Sequence, residues 1–126
     1  MKTRTVTVYT SAGPISCAQF RGSLADVLTH IRPTLVRVQE AHGGGPDGLH
    51  EWPAVFDAID RLSVEALLTP ATRNTVLHLP LADRLRIFAA AYLGGKDTAS
   101  RQFRDYVLNL AEMCERIRAQ ALEIAR

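Results

Sequence analysis

Little in this sequence advertises a chemistry. Among its 126 residues there are only two cysteines, Cys17 and Cys114, too few for a disulfide framework. A domain of this length buries over ~60% of its unfolded surface and needs neither staple nor structural metal. Behind Lys2 and Arg4 the opening MKTRTVTVYT holds no apolar run of secretory-signal length. No window reaches the ~18 apolar residues of a membrane span. The expectation is a cytoplasmic protein that enters no membrane and keeps both thiols reduced. Net charge is only +2, too small to point to a polyanion partner. With 47% hydrophobic and 22% charged residues, no internal repeat and one short glycine-rich tract, the chain reads as a single domain, 1–126.

That tract, HGGGPDGLHE from His42 to Glu51, invites several chemical readings and lacks the scaffold for each. Gly43, Gly45 and Gly48 match G-x-G-x-x-G, but a dinucleotide loop leaves a buried strand and opens a helix. Here the glycines follow a helix end, and Pro46 sits inside the match. HGGG resembles the oxyanion loop of lipases and esterases in letters only, because the chain contains no G-x-S-x-G nucleophile elbow. GGKD, Gly94 to Asp97, lacks the upstream glycine and the hydroxyl residue of a Walker A loop. His42, His50 and Glu51 are ligand types suited to zinc, but a glycine-rich spacer preorganises nothing. What remains is a flexible joint between helices, residues 42–50. His30 falls off the apolar stripe of its helix, and His78 in VLHLP suits a half-buried histidine bonded to backbone. Neither cysteine has a His or Lys beside it in sequence to lower its pKa. The chain is read as non-enzymatic, with no catalytic residue, no cofactor and no metal ligand.

What is present is patterning. Thr3 to Thr10 alternates, Val6 and Val8 on one face and Thr5, Thr7 and Tyr9 on the other, which predicts a strand. SAGP, with Gly13 able to take positive φ, and the β-compatible ISCAQF complete a hairpin over 3–20. Ser23 starts a helix as N-cap, with Asp26 facing the first-turn amides. Leu24, Val27, Leu28, Ile31, Leu35 and Val38 then form one stripe that runs through Pro33, so the spacing predicts one kinked helix to about Ala41. Trp52 and Pro53 open the next helix, with Val55, Phe56, Ile59 and Leu62 inward and Asp57, Asp60 and Arg61 outward. SVEALLTP adds a short turn of helix ended by Pro70. NTVLHL, Asn74 to Leu79, reads either as a third strand or as the lead-in to a helix from Leu81 to Leu93, where Leu85, Phe88 and Tyr92 face inward and Gly94 is the stop.

Asp97 or Thr98 caps the last helix, in which Phe103, Val107, Leu110, Cys114, Ile117, Ala121 and Ile124 repeat at alternating steps of four and three. Fully helical, it would be roughly 40 Å long against about 35 Å for the globule, so part of it should overhang. The fold class is α+β: an N-terminal β-hairpin packed on a mainly helical body of four to five helices, residues 23–126, with a long C-terminal helix.

Three functional expectations follow. Residues 33–68 carry six acids against Arg37 and Arg61, and Glu51, Asp57, Asp60 and Glu65 are expected to share an exposed acidic face for a protein partner, one that itself handles nucleic acid being a natural fit. Val107, Leu110, Cys114, Ile117, Ala121 and Ile124 are expected to form a homodimer seam. The rival is a helix-turn-helix over residues 81–110 that reads nucleic acid with Thr98, Ser100, Arg101, Gln102 and Arg104. Asp97 and Asp105 stand among those residues, and phosphate-contacting cations are few. The leading role is a small protein-binding regulator or inhibitor. Compact bacterial domains this poor in motifs include toxin-antitoxin partners and the inhibitors that mobile elements use against host defences, of the anti-CRISPR type.

Overall fold

The computed structural model describes residues 3–43, 51–68 and 76–125. Strands β1 (Thr3–Thr10) and β2 (Gly13–Phe20) pair antiparallel, with Val6 opposite Cys17 and Val8 opposite Ile15. Gly13 closes the hairpin at φ 99°, a left-handed conformation that a Cβ would strain. Because strand side chains alternate, Val8, Cys17 and Gln19 point into the body while Thr5, Thr7 and Tyr9 face solvent.

Helix α1 (Leu24–Ala41) starts on a capping box: Asp26 N donates to Ser23 Oγ at 3.3 Å, and Ser23 N donates to the Asp26 carboxylate at 3.1 Å. It runs on through Pro33, as its stripe requires, and buries Val27, Ile31, Thr34 and Val38. Helix α2 (Trp52–Ala66) has Pro53 in its first turn and absorbs SVEA into one continuous helix. Helices α3 (Leu81–Tyr92) and α4 (Thr98–Ile124) complete an α+β, mainly helical fold with a long final helix.

Helix α3 lies at the centre, against α2, α4 and both strands. Its Leu85, Phe88 and Tyr92 join Val27 and Ile31 of α1, Leu62 of α2 and Val107 and Ala111 of α4 in the main core. Its Ile87 joins Val8, Cys17 and Leu79 in a second cluster under the hairpin. Each such Leu, Ile or Phe contributes about 1.5–3 kcal/mol on burial. Polar ties fix the hairpin's register on α3. Ser11 donates to the buried Asp83 carboxylate through N (3.1 Å) and Oγ (2.6 Å). Gln19 Nε2 donates to Ala90 O at 2.8 Å and Gln19 Oε1 accepts from Arg4 Nε at 2.6 Å. Tyr92 Oη donates to Leu62 O at 2.7 Å, and burial pushes this phenol's pKa well above its usual value.

Two local readings change. In Asn74 to Leu79 the described part is no strand: Val76 and Leu77 are helical, and Leu79 N donates to Val76 O. Asn74 and Thr75 lie outside the described residues, as do residues 44–50 of the glycine tract. The pairing on β2 comes instead from the end of α2, where Leu67 bridges to Cys17 and Leu68 N donates to Ser16 O at 3.2 Å. Gly94 is not a left-handed stop, since positive φ among the described residues occurs only at Gly13 and Gly43. Its lack of a side chain serves packing: a Cβ there would stand 2.5 Å from Gln19 Nε2, and one on Gly95 would stand 2.7 Å from Gly22 O. Backbone cannot swing aside as the Gln19 amide can. Gly95→Ala is therefore expected to cost about 2 kcal/mol by overpacking, and more than Gly94→Ala, as read from denaturant melts of the two variants.

Candidate functional site

The acidic residues of α2 do not form one exposed face. Asp60 is only 8% exposed, and Arg84 Nη1 of α3 donates to both its carboxylate oxygens at 2.9 Å. Helix α3 covers the side of α2 that a one-sided amphipathic reading leaves to water, which is why this outward assignment fails. Asp57 accepts from Arg61 Nε at 3.1 Å and lies 3.1 Å from His42 Nε2. Burial pushes the Asp57 carboxyl upward, but these two partners outweigh it and hold the group below the usual carboxylate range. Glu65 is exposed and lies 4.0 Å from Arg37; Glu51 is exposed at the start of α2. Arginines on three helices thus offset most of the charge that steering would need.

Helices α3 and α4 form an antiparallel hairpin tied at both ends. Arg104 donates to Leu93 O at 2.8 Å and to Gly95 O at 3.3 Å, while Arg86 pairs with Glu115 at 2.8 Å and holds that carboxyl below its ordinary pKa. A helix-turn-helix instead crosses at ~90–120° with its second helix free to enter a groove. Of the five proposed base readers, Ser100 is buried and Arg104 is committed to carbonyls; Thr98, Arg101 and Gln102 remain exposed. Arg4, Arg21 and Lys96 border a polar basin nearby. The Asp97 carboxylate already serves as its anion, accepting from Ser100 N at 3.2 Å and Leu24 N at 3.4 Å at the starts of α4 and α1. Among the described residues no three His, Cys, Asp or Glu side chains stand together in a way that could hold a metal ion. None of the described helices is long and apolar enough to cross a membrane.

The α4 seam is divided. Val107 is buried, and Leu110 and Cys114 pack partly on the core, so this part holds the molecule together from within. Ile117, Ala121 and Ile124 are exposed. Successive helix positions turn by about 100°, so Tyr106, Met113, Ile117 and Ile124 fall within a ~40° arc, about a third of a turn from the core-facing Val107 and Ala111. All four are solvent-exposed, Tyr106 to 57% and Ile124 to 85%.

This free stripe borders a groove of about 190 Å³ between α1, α2 and α4, every lining residue of which is apolar or aromatic. The buried Ile31 of α1, Leu85 and Phe88 of α3 and Val107 of α4 line its base, with Leu28, Leu35, Phe56 and Leu110 along its sides. Its two rims carry aromatic pairs: Trp52 with Phe56 on α2, ring centroids 5.6 Å apart, and Phe103 with Tyr106 on α4, 6.5 Å apart. Trp52 is 57% exposed and Leu28 is exposed as well. In the sequence pattern Trp52 marks only a helix start, and Tyr106 and Met113 lie outside the expected seam. The available signal was the width of the apolar arc on α4, which exceeds what a single packing seam requires.

Comparison with protein-family models, with curated proteins and with solved structures finds no match for this chain.

The two aspartates separate experimentally. Asp60→Lys would set two cations together in a nearly buried site, and breaking such a pair costs about 3–5 kcal/mol. Asp57→Lys alters a more accessible group and is expected to cost about 1 kcal/mol. Equal melting temperatures for Asp60→Lys and wild type would contradict the observed burial.

Proposed function

We propose that this chain is a small non-enzymatic protein-binding module, and that its working surface is the apolar groove between α1, α2 and α4 together with the exposed stripe of α4. One observation carries the reading: three aromatic side chains, Trp52 of α2 and Phe103 and Tyr106 of α4, are exposed beside a groove whose lining has no charged residue. A folded monomer rarely leaves so much contiguous apolar surface in water without a use for it. Exposed Trp and Tyr are the residue types that most often anchor protein interfaces. An apolar groove lined by helices suits an amphipathic helix laid in it, with apolar anchors at three- and four-residue steps. The acidic surface has no part in this proposal, because Arg37, Arg61 and Arg84 offset it.

Trp52 is the chain's single tryptophan, so its emission reports occupancy of the groove directly. Binding of a helical partner is expected to shift that emission to the blue and shield it from acrylamide. Phe103→Glu with Tyr106→Glu, both exposed positions, should leave the melting temperature within a few degrees while abolishing co-purification of the cellular partner and the emission change it causes. Asp57→Lys should retain both. If the groove variant keeps the same partner with wild-type affinity, or if Arg101→Ala with Gln102→Ala is what abolishes activity, the groove is not the working surface.

A further inference from the structure

The final turns of α4 supply a ligand of the kind this groove fits. From residue 115 to the end of its described length the helix is solvent-exposed throughout. Ala99, Phe103, Tyr106, Leu110, Met113, Ile117 and Ile124 fall on the stripe at steps of four and three, with Gln120 the one polar position in the repeat. Such a repeat packs on a copy of itself with knobs in holes. The first half of α4 is fixed against its own body by Val107 and Ala111, whereas the second half is exposed and only borders a cleft beside Ser11 and residues 80–83.

We infer that two copies of this chain pair through α4 in antiparallel register about a two-fold axis near the middle of the helix, so that the bare half of each lies in the groove of the other. This rests on reading the groove as a protein-docking surface, and names its occupant. In the register with the axis between Leu110 and Met113, Tyr106 faces Ile117 of the partner subunit and Leu110 faces Met113 of the partner subunit. Ile124 of the partner subunit then reaches the start of the helix, near Ala99 and Phe103. The core-facing side of α4 lies a third of a turn from the stripe, so both bodies sit on the same side of the helix pair, displaced from one another along it.

The surface approaches the size of a standard interface. Aromatic side chains present roughly 150–250 Å² and aliphatic ones somewhat less. At their exposed fractions, Trp52, Leu28 and the stripe leave on the order of 700 Å² of apolar surface per copy. A stable interface of standard size takes ~800 Å² per partner.

The test is a mass measurement and a register-specific cross-link on the full chain. Wild type at several hundred micromolar is expected to sediment as a dimer, and Ile117→Glu as a monomer with unchanged circular dichroism. In a Cys114→Ala background, Tyr106→Cys with Ile117→Cys should oxidise to a covalent dimer. Either cysteine alone should not, since each then lies about 16 Å along the axis from its own symmetry mate. A monomeric wild type, or cross-linking no faster for the double variant than for the single ones, overturns the self-pairing. The groove reading fails separately, when the Phe103→Glu, Tyr106→Glu variant still engages the cellular partner.

Discussion

Ala82, Leu85, Phe88, Ala89 and Tyr92 of α3 are buried, and so are Ile87 and Ala91 on its other side, so this twelve-residue helix is surrounded and the other elements are placed by what it requires. The hairpin is held to it by Ser11 on Asp83 and Gln19 on Ala90 O. Helix α2 is held by Tyr92 Oη on Leu62 O and by Arg84 on Asp60. Helix α4 is held by apolar contact and by Arg86 on Glu115. A buried carboxylate is tolerated only where donors replace water. Asp60 and Asp83 satisfy that condition with partners from different elements, which makes them markers of how the helices are arranged and not of where a partner binds.

The length of α3 also sets the shape of the surface. It gives α4 a wall for only part of the longer helix's course. Beyond Glu115 the chain continues as helix with its apolar residues in water. A short isolated helix is marginal in water because propagation gains little without tertiary packing. Continuity with the packed half supports the exposed turns in part, and a partner on the stripe would supply the rest. The groove has a related origin: the buried Leu85 and Phe88 of α3 line its base, and Trp52 of α2 and Tyr106 of α4 stay exposed beside it.

What was legible in the sequence was local. The alternation of Thr3 to Thr10, the positive φ at Gly13 and the Ser23 N-cap with Asp26 in the first turn depend on neighbours within a few residues, and each stands as read. So does the passage of α1 through Pro33, because the stripe on both sides of the proline keeps one phase. The α2 acids were misplaced for a reason no local pattern contains. Whether Asp60 faces water depends on where α3 lies, twenty-odd residues later in the chain. Gly94 was given a turn role when its value is the space it leaves for Gln19. The α4 repeat was visible, but not its division into a part that packs inside and a part that does not, since that boundary is drawn by the length of α3. The groove was invisible because it is a gap among three helices.

The central claim is that the bare half of α4 is an unfilled contact surface and not a solvated helix end. Amide hydrogen exchange over residues 112–124, followed as protein concentration rises from low micromolar to several hundred micromolar, tests it most directly. If the stripe is covered by a second copy, protection of these amides rises with concentration, while that of α3, buried in either state, does not change. Equal, weak protection of residues 112–124 at every concentration, with Trp52 emission equally constant, would contradict the claim.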